Sequence, residues 1–155
     1  MGLIVSKKSL FVAILHFVTA AIMLGTIVFV LIYLYGGGFG EMPDTGDTSE
    51  NLSNGIAAVF TVIFLLPSMA GMLVAVPTFI FSGVKLCMQA QGQLPSKRSF
   101  IVTLVVKTIG FVLMLPVLLF VFDVPTGLSV GILHIVALAF SLASSLLEAY
   151  VRRRP

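Results

Sequence analysis

The chain has 155 residues, of which 59% are hydrophobic and 10% charged, with a formal net charge of +3 and a mean hydropathy of +1.16. A water-soluble domain needs about a quarter of its residues charged to cover its surface, so this composition excludes a soluble fold and makes a lipid bilayer the solvent. The basic residues fall at the ends of apolar runs rather than on a patterned face with interleaved aromatics, which excludes nucleic-acid binding.

Crossing roughly 30 Å of hydrocarbon at about 1.5 Å per residue takes about 20 apolar residues. The first run of that kind covers 10–35. It follows Lys7 and Lys8 as a signal peptide would, but it is far longer than the usual apolar stretch of about 7–15 residues, so it is read as a retained helix. Met1-Gly2-Leu3-Ile4-Val5-Ser6 fits an N-myristoylation pattern, which is read as chance because one acyl chain adds little to a multiply spanning protein. A loop over 36–55 follows, Gly-rich and acidic, with Glu41, Asp44, Asp47 and Glu50. It lacks the ligand spacing of an EF-hand and is read as a solvated tether. Asn51-Leu52-Ser53 matches a glycosylation acceptor but lies against the next helix.

The second run, 56–84, carries Pro67 and Pro77, each of which removes a helical hydrogen bond, so a tilted or kinked helix is expected. A second loop over 85–99 holds Lys85, Lys97 and Arg98. The third run, 100–122, is expected to bend at Pro116, and a short turn containing Asp123 leads to the fourth run, 128–151. The fold class is therefore an all-α membrane protein, a single polytopic domain over 1–155 forming a four-transmembrane-helix bundle in up-down-up-down order. Eight of the nine basic residues, namely Lys7, Lys8, Lys85, Lys97, Arg98, Arg152, Arg153 and Arg154, fall on one side of this arrangement. Cytoplasmic loops carry the Lys and Arg, so both termini are expected in the cytoplasm, with the bacterial inner (plasma) membrane as the location.

The segments "SKKSLFVAIL" from Ser6 and "SKRSFIVTLV" from Ser96 match in register. One reading is an internal repeat of two helical hairpins related by an axis along the membrane normal; the other is that helix starts at the cytoplasmic side converge on basic, hydroxyl and apolar residues.

In lipid, polar and small residues on a helix mark the side that faces other helices. Such a stripe runs along each run: His16, Thr19, Met23 and Thr26; Thr61, Ser68, Gly71, Ala75, Thr78 and Ser82; Thr103, Lys107, Gly110 and Met114; and His134, Ala137, Ser141, Ser144 and Glu148. The ninth basic residue, Lys107, lies about 12 Å inside the cytoplasmic boundary at 1.5 Å per residue. An unpaired cation there costs roughly 2.5–3.5 kcal/mol on insertion scales, unless its stem snorkels outward. Glu148 is the one carboxylate inside any run, and His16 enters at a comparable level. A buried polar cluster of Lys107, Glu148, His16 and Ser144 is therefore expected in the inner half of the bundle. His134 is a secondary intramembrane polar group nearer the outer face, in the opposite leaflet from His16, which is poor geometry for two axial ligands of one haem.

No catalytic residues, metal or cofactor are read from the sequence: there is no Ser/His/Asp set, no phosphate loop, and the single cysteine, Cys87, forms neither a disulfide nor a multi-cysteine site. Small multidrug transporters need a carboxylate in the first helix, and quinone-linked disulfide enzymes need Cys-x-x-Cys; both features are missing. In size, crossing number and sidedness the chain is similar to small bacterial immunity proteins, with no shared motif. The expected function is that of a non-enzymatic membrane protein that binds another membrane protein, as an accessory subunit or immunity-type inhibitor. The alternative is a small oligomeric transporter or channel using Lys107, Glu148 and His16. The expected partners are the lipid bilayer and a membrane protein or further copies of the chain.

Overall fold

The computed structural model describes residues 7–36, 46–92, 97–119, 121 and 127–153. The myristoylation pattern at residues 1–6, Glu41, Asp44, Ser96, Asp123 and Arg154 lie outside them. The described residues form helices and no strand: α1 (Lys7–Tyr35), α2 (Thr48–Ala90), α3 (Lys97–Met114), a 3-10 turn (Pro116–Leu119) and α4 (Leu128–Arg153). Four helical segments, in α1, in α2, across α3 and the 3-10 turn, and in α4, are long and apolar enough to cross a membrane. Only 28–44% of the most apolar window of each is buried. Leu, Ile and Phe therefore face outward as well as inward.

Helix boundaries follow local chemistry more than hydropathy. α2 begins at Thr48 rather than near residue 56, because Asp47 caps it: the Ser49 backbone N–H and hydroxyl both donate to Asp47 Oδ1 at 2.8 Å. The expected loop 36–55 is thus shorter, and Asn51-Leu52-Ser53 lies in the opening turns of α2. At its other end α2 continues past Lys85 to Ala90, where Gly92 takes φ +88° and Gln91 and Gly92 bond back to the last carbonyls. That left-handed residue is the ordinary stop for a helix. α2 runs unbroken through Pro67 and Pro77. Pro116, in contrast, ends a helix instead of bending one: α3 stops at Met114, and the Leu115 N–H turns back to the Val112 carbonyl at 3.3 Å in a 3-10 bond. Pro116 has no N–H for the next α-helical bond, and the chain goes on past it as a 3-10 turn in which the Leu118 N–H donates to the Leu115 carbonyl at 3.1 Å.

The helices form a ring in the order α1, α2, α3, α4, with α1 also beside α4; the backbones of α1 and α3, and of α2 and α4, do not touch across it. Val12, Ala13, Leu86 and Val151 make a small apolar cluster at one end, where Lys85 bonds Ser99 and Arg152 stacks on Phe100. The start of α1, the end of α2, the start of α3 and the end of α4 therefore meet there. The main core holds Met23, Leu65, Met72, Phe79 and Met114, all fully buried. Flexible thioethers suit the irregular space where four cylinders meet. α2 and α3 approach most closely at Gly71 and Gly110, where a Cβ on either glycine would stand 3.0 Å from the other's carbonyl oxygen.

Candidate functional site

All but one of the side chains on the four polar stripes are buried; Thr78 is half-exposed and donates to the Val74 carbonyl of its own helix. Steps of three and four residues keep one face inward over several turns, and that face delivers three ionisable groups to one point on the ring's axis. Lys107 of α3 and Glu148 of α4 are each 2% exposed and His16 of α1 is fully enclosed.

Lys107 Nζ donates to Glu148 Oε2 at 2.6 Å and stands 2.9 Å from His16 Nε2. His16 Nε2 is itself 3.0 Å from Glu148 Oε2, so the three atoms close a triangle. The other carboxylate oxygen, Oε1, accepts from Arg152, through Nε at 3.0 Å and Nη2 at 2.9 Å. The Phe79 ring lies beneath, its centroid 4.7 Å from Lys107 Nζ and 5.5 Å from the His16 ring. Glu148 is thus the hub: each cation has a carboxylate oxygen, and each carboxylate oxygen has a cation.

The imidazole of His16 is held from behind. Its Nδ1 is 2.8 Å from the Val12 carbonyl one turn earlier, and a carbonyl only accepts, so Nδ1 carries a proton and Nε2 faces the cluster. The ring then offers its Nε2 lone pair to the Lys107 ammonium, which donates to it as well as to Glu148.

The structure departs from the sequence reading at Ser144 and adds Arg152. Ser144 lies one turn from Glu148 and bonds outside the ionic group: its hydroxyl donates to the Phe140 carbonyl at 2.7 Å and accepts from Thr19 at 3.3 Å. A helical serine has its own i−4 carbonyl within reach, and that local bond wins. The sequence reading counts Arg152 only among the basic residues on the cytoplasmic side, although its i,i+4 spacing from Glu148 is a legible pairing signal.

His134 makes a separate contact. Nδ1 donates to the Val130 carbonyl at 2.9 Å, so Nε2 accepts from Ser68 of α2 at 3.0 Å. This bond links α2 with α4 as Lys107–His16 links α3 with α1. Helices that do not touch by backbone are therefore joined, once on each diagonal of the ring, by a histidine. Among the described residues no three His, Cys, Asp or Glu side chains gather as metal ligands.

One edge of the ring is open. Of the four neighbouring pairs, α3 and α4 touch least. Between them runs a groove of about 150 Å³, lined by Leu104, Thr108, Phe111, Ser141 and Ser145, with Lys107 at its floor. Thr108 is exposed and spends its O–H on the Leu104 carbonyl at 2.9 Å, leaving its oxygen able to accept. No family model, curated protein or solved structure matches the chain.

Proposed function

We propose that the chain is a non-enzymatic integral membrane protein of the bacterial inner membrane that binds another membrane protein along the α3/α4 seam. In this reading the helices run up-down-up-down with both termini in the cytoplasm. The end of the bundle where the four helix ends meet carries Lys7, Lys8, Lys85, Arg98 and Arg152, in keeping with the positive-inside rule. The two-hairpin repeat belongs to the same proposal: α1 with α2 forms a closed hairpin, and α3 with α4 an open one.

The observation that carries the binding role is the hydroxyl-lined groove at that open edge. In hydrocarbon, small and hydroxyl-bearing residues gain by facing another helix, through close backbone approach and hydrogen bonds of about 0.6 kcal/mol each. Thr108 and Ser145 supply acceptors for a donor on an incoming helix. The ionic cluster has a different part in this reading: with its charges mutually satisfied, it fixes the register of α1, α3 and α4 and so shapes the groove.

A photo-crosslinking residue at Ser145 in intact cells tests the proposal. A discrete heavier adduct containing a second protein, absent when the probe is at Val28 on the far side of the ring, is the expected result. Adducts with lipid alone, or with the chain itself, would discard the heteromeric interface. The transport reading makes a separable prediction, ion or proton flux in proteoliposomes that disappears in Lys107→Met; no such flux is expected.

A further inference from the structure

The α3/α4 seam leaves the Ser-Lys-basic-Ser echo unexplained, and the packing gives it a setting. The start of α1 lies against the end of α4, and the start of α3 against the end of α2; each junction opens into a groove. The first, of about 300 Å³, is lined by Lys7, Lys8, Phe11, Val12, Leu147 and Tyr150. The second, of about 360 Å³, is lined by Phe81, Arg98, Ser99, Val102 and Thr103. Lys8 and Arg98 hold the same place in the two echoed segments, as do Val12 and Val102, and all four line the grooves. At the rim of the second, Lys85 Nζ donates to Ser99 and sits 4.3 Å above the Phe81 ring. No acidic side chain lines either groove among the described residues. Each groove is cationic at its mouth and apolar along its wall.

We propose that each groove holds one anionic phospholipid, the phosphate at Lys8 or at Arg98 and Ser99, the first methylenes against Phe11 and Leu147 or against Phe81 and Val102. The assignment rests on the membrane orientation proposed above, which puts both mouths at the cytoplasmic headgroup level, where basic clefts between helices bind acidic lipid. A soluble phosphate would meet the same cations but leave the apolar walls bare, so the lipid is the better occupant. The echo then persists because two like sites need the same cation at the same point of a helix start.

Native mass spectrometry of the full-length detergent-solubilised protein tests this with phosphatidylglycerol, phosphatidylcholine and inorganic phosphate as probes. The expected result is two retained phosphatidylglycerol molecules and little retained phosphatidylcholine. Lys8→Gln or Arg98→Gln should weaken one of the two by about fivefold, the worth of one basic side chain near anionic lipid, and Lys8→Arg or Arg98→Lys should restore it. Both cations are exposed, so neither variant disturbs the core. Equal retention of the two lipids, indifference to the variants, or displacement by millimolar phosphate would overturn the proposal. Maleimide labelling of Lys8→Cys in a Cys87→Ser background separates its failure from that of the parent reading: reaction with the impermeant reagent in intact cells contradicts the orientation, whereas a chain that keeps residue 8 on the cytoplasmic side but ignores lipid charge contradicts this inference alone.

Discussion

Glu148 bears an unequal share of the buried electrostatics. Its two oxygens serve Lys107 and Arg152 separately, so removing it strands two cations, whereas removing Lys107 leaves the carboxylate neutralised by Arg152. Breaking a buried ion pair from one side costs about 3–5 kcal/mol when the remaining charge is uncompensated. Glu148→Gln is therefore expected to reach that range in thermal unfolding of the detergent-solubilised protein. Lys107→Met should cost visibly less, about half or under on the same argument. Equal losses in the two variants would mean the cluster is not organised around the carboxylate. Three members of the group were legible because Lys107, Glu148 and His16 are ionisable residues on stripes that hydrophobicity has no reason to tolerate. The partner of Ser144 was not legible. A short hydroxyl has its own helix's carbonyls within reach, and sequence spacing does not say whether it bonds along its helix or across to the next.

At the scale of the elements, apolar run length located all four helices but misplaced their ends. Asp47 and Glu50, three residues apart, spell a capping pattern ahead of an apolar run, which a hydropathy window passes over because the first turns of α2 are polar. Pro116 shows the reverse: the third run remains apolar beyond it, yet α3 ends before it. Close packing was legible only as small residues on a stripe, since which glycine meets a backbone depends on how α2 and α3 are rotated. Gly110→Leu is expected to push those helices apart and lower stability by about 1–3 kcal/mol, the usual cost of overpacking. Gly25→Leu is its control, because a Cβ at Gly25 meets nothing within 4 Å, and it should be close to neutral. If both variants unfold alike, the Gly71–Gly110 approach does not hold α2 to α3.

For the whole molecule, the proposed orientation rests on the balance of charge between its two ends. Single-cysteine variants in a Cys87→Ser background provide the check: Ser49→Cys should react with a membrane-impermeant maleimide in intact cells, and Lys8→Cys only after permeabilisation. The opposite pattern would invert the proposed sidedness and remove the phospholipid assignment with it. What the sequence could not convey at this scale is that the ring closes unevenly. The stripes on α3 and α4 look as suitable for close packing as those on α1 and α2, and the difference arises from three-dimensional rotation.

The two histidine contacts span opposite corners of a four-membered frame, and their mechanical effect follows from that placement. A square of rods linked only along its sides collapses sideways under load; struts across both corners make it stiff. With α1 and α2 locked together and each strut anchored on one of them, the loosely joined fourth side is presented without having to be held open by its occupant. A helix docking there as proposed would thus meet a slot already cut to shape, and little of its binding free energy would be spent on ordering the host.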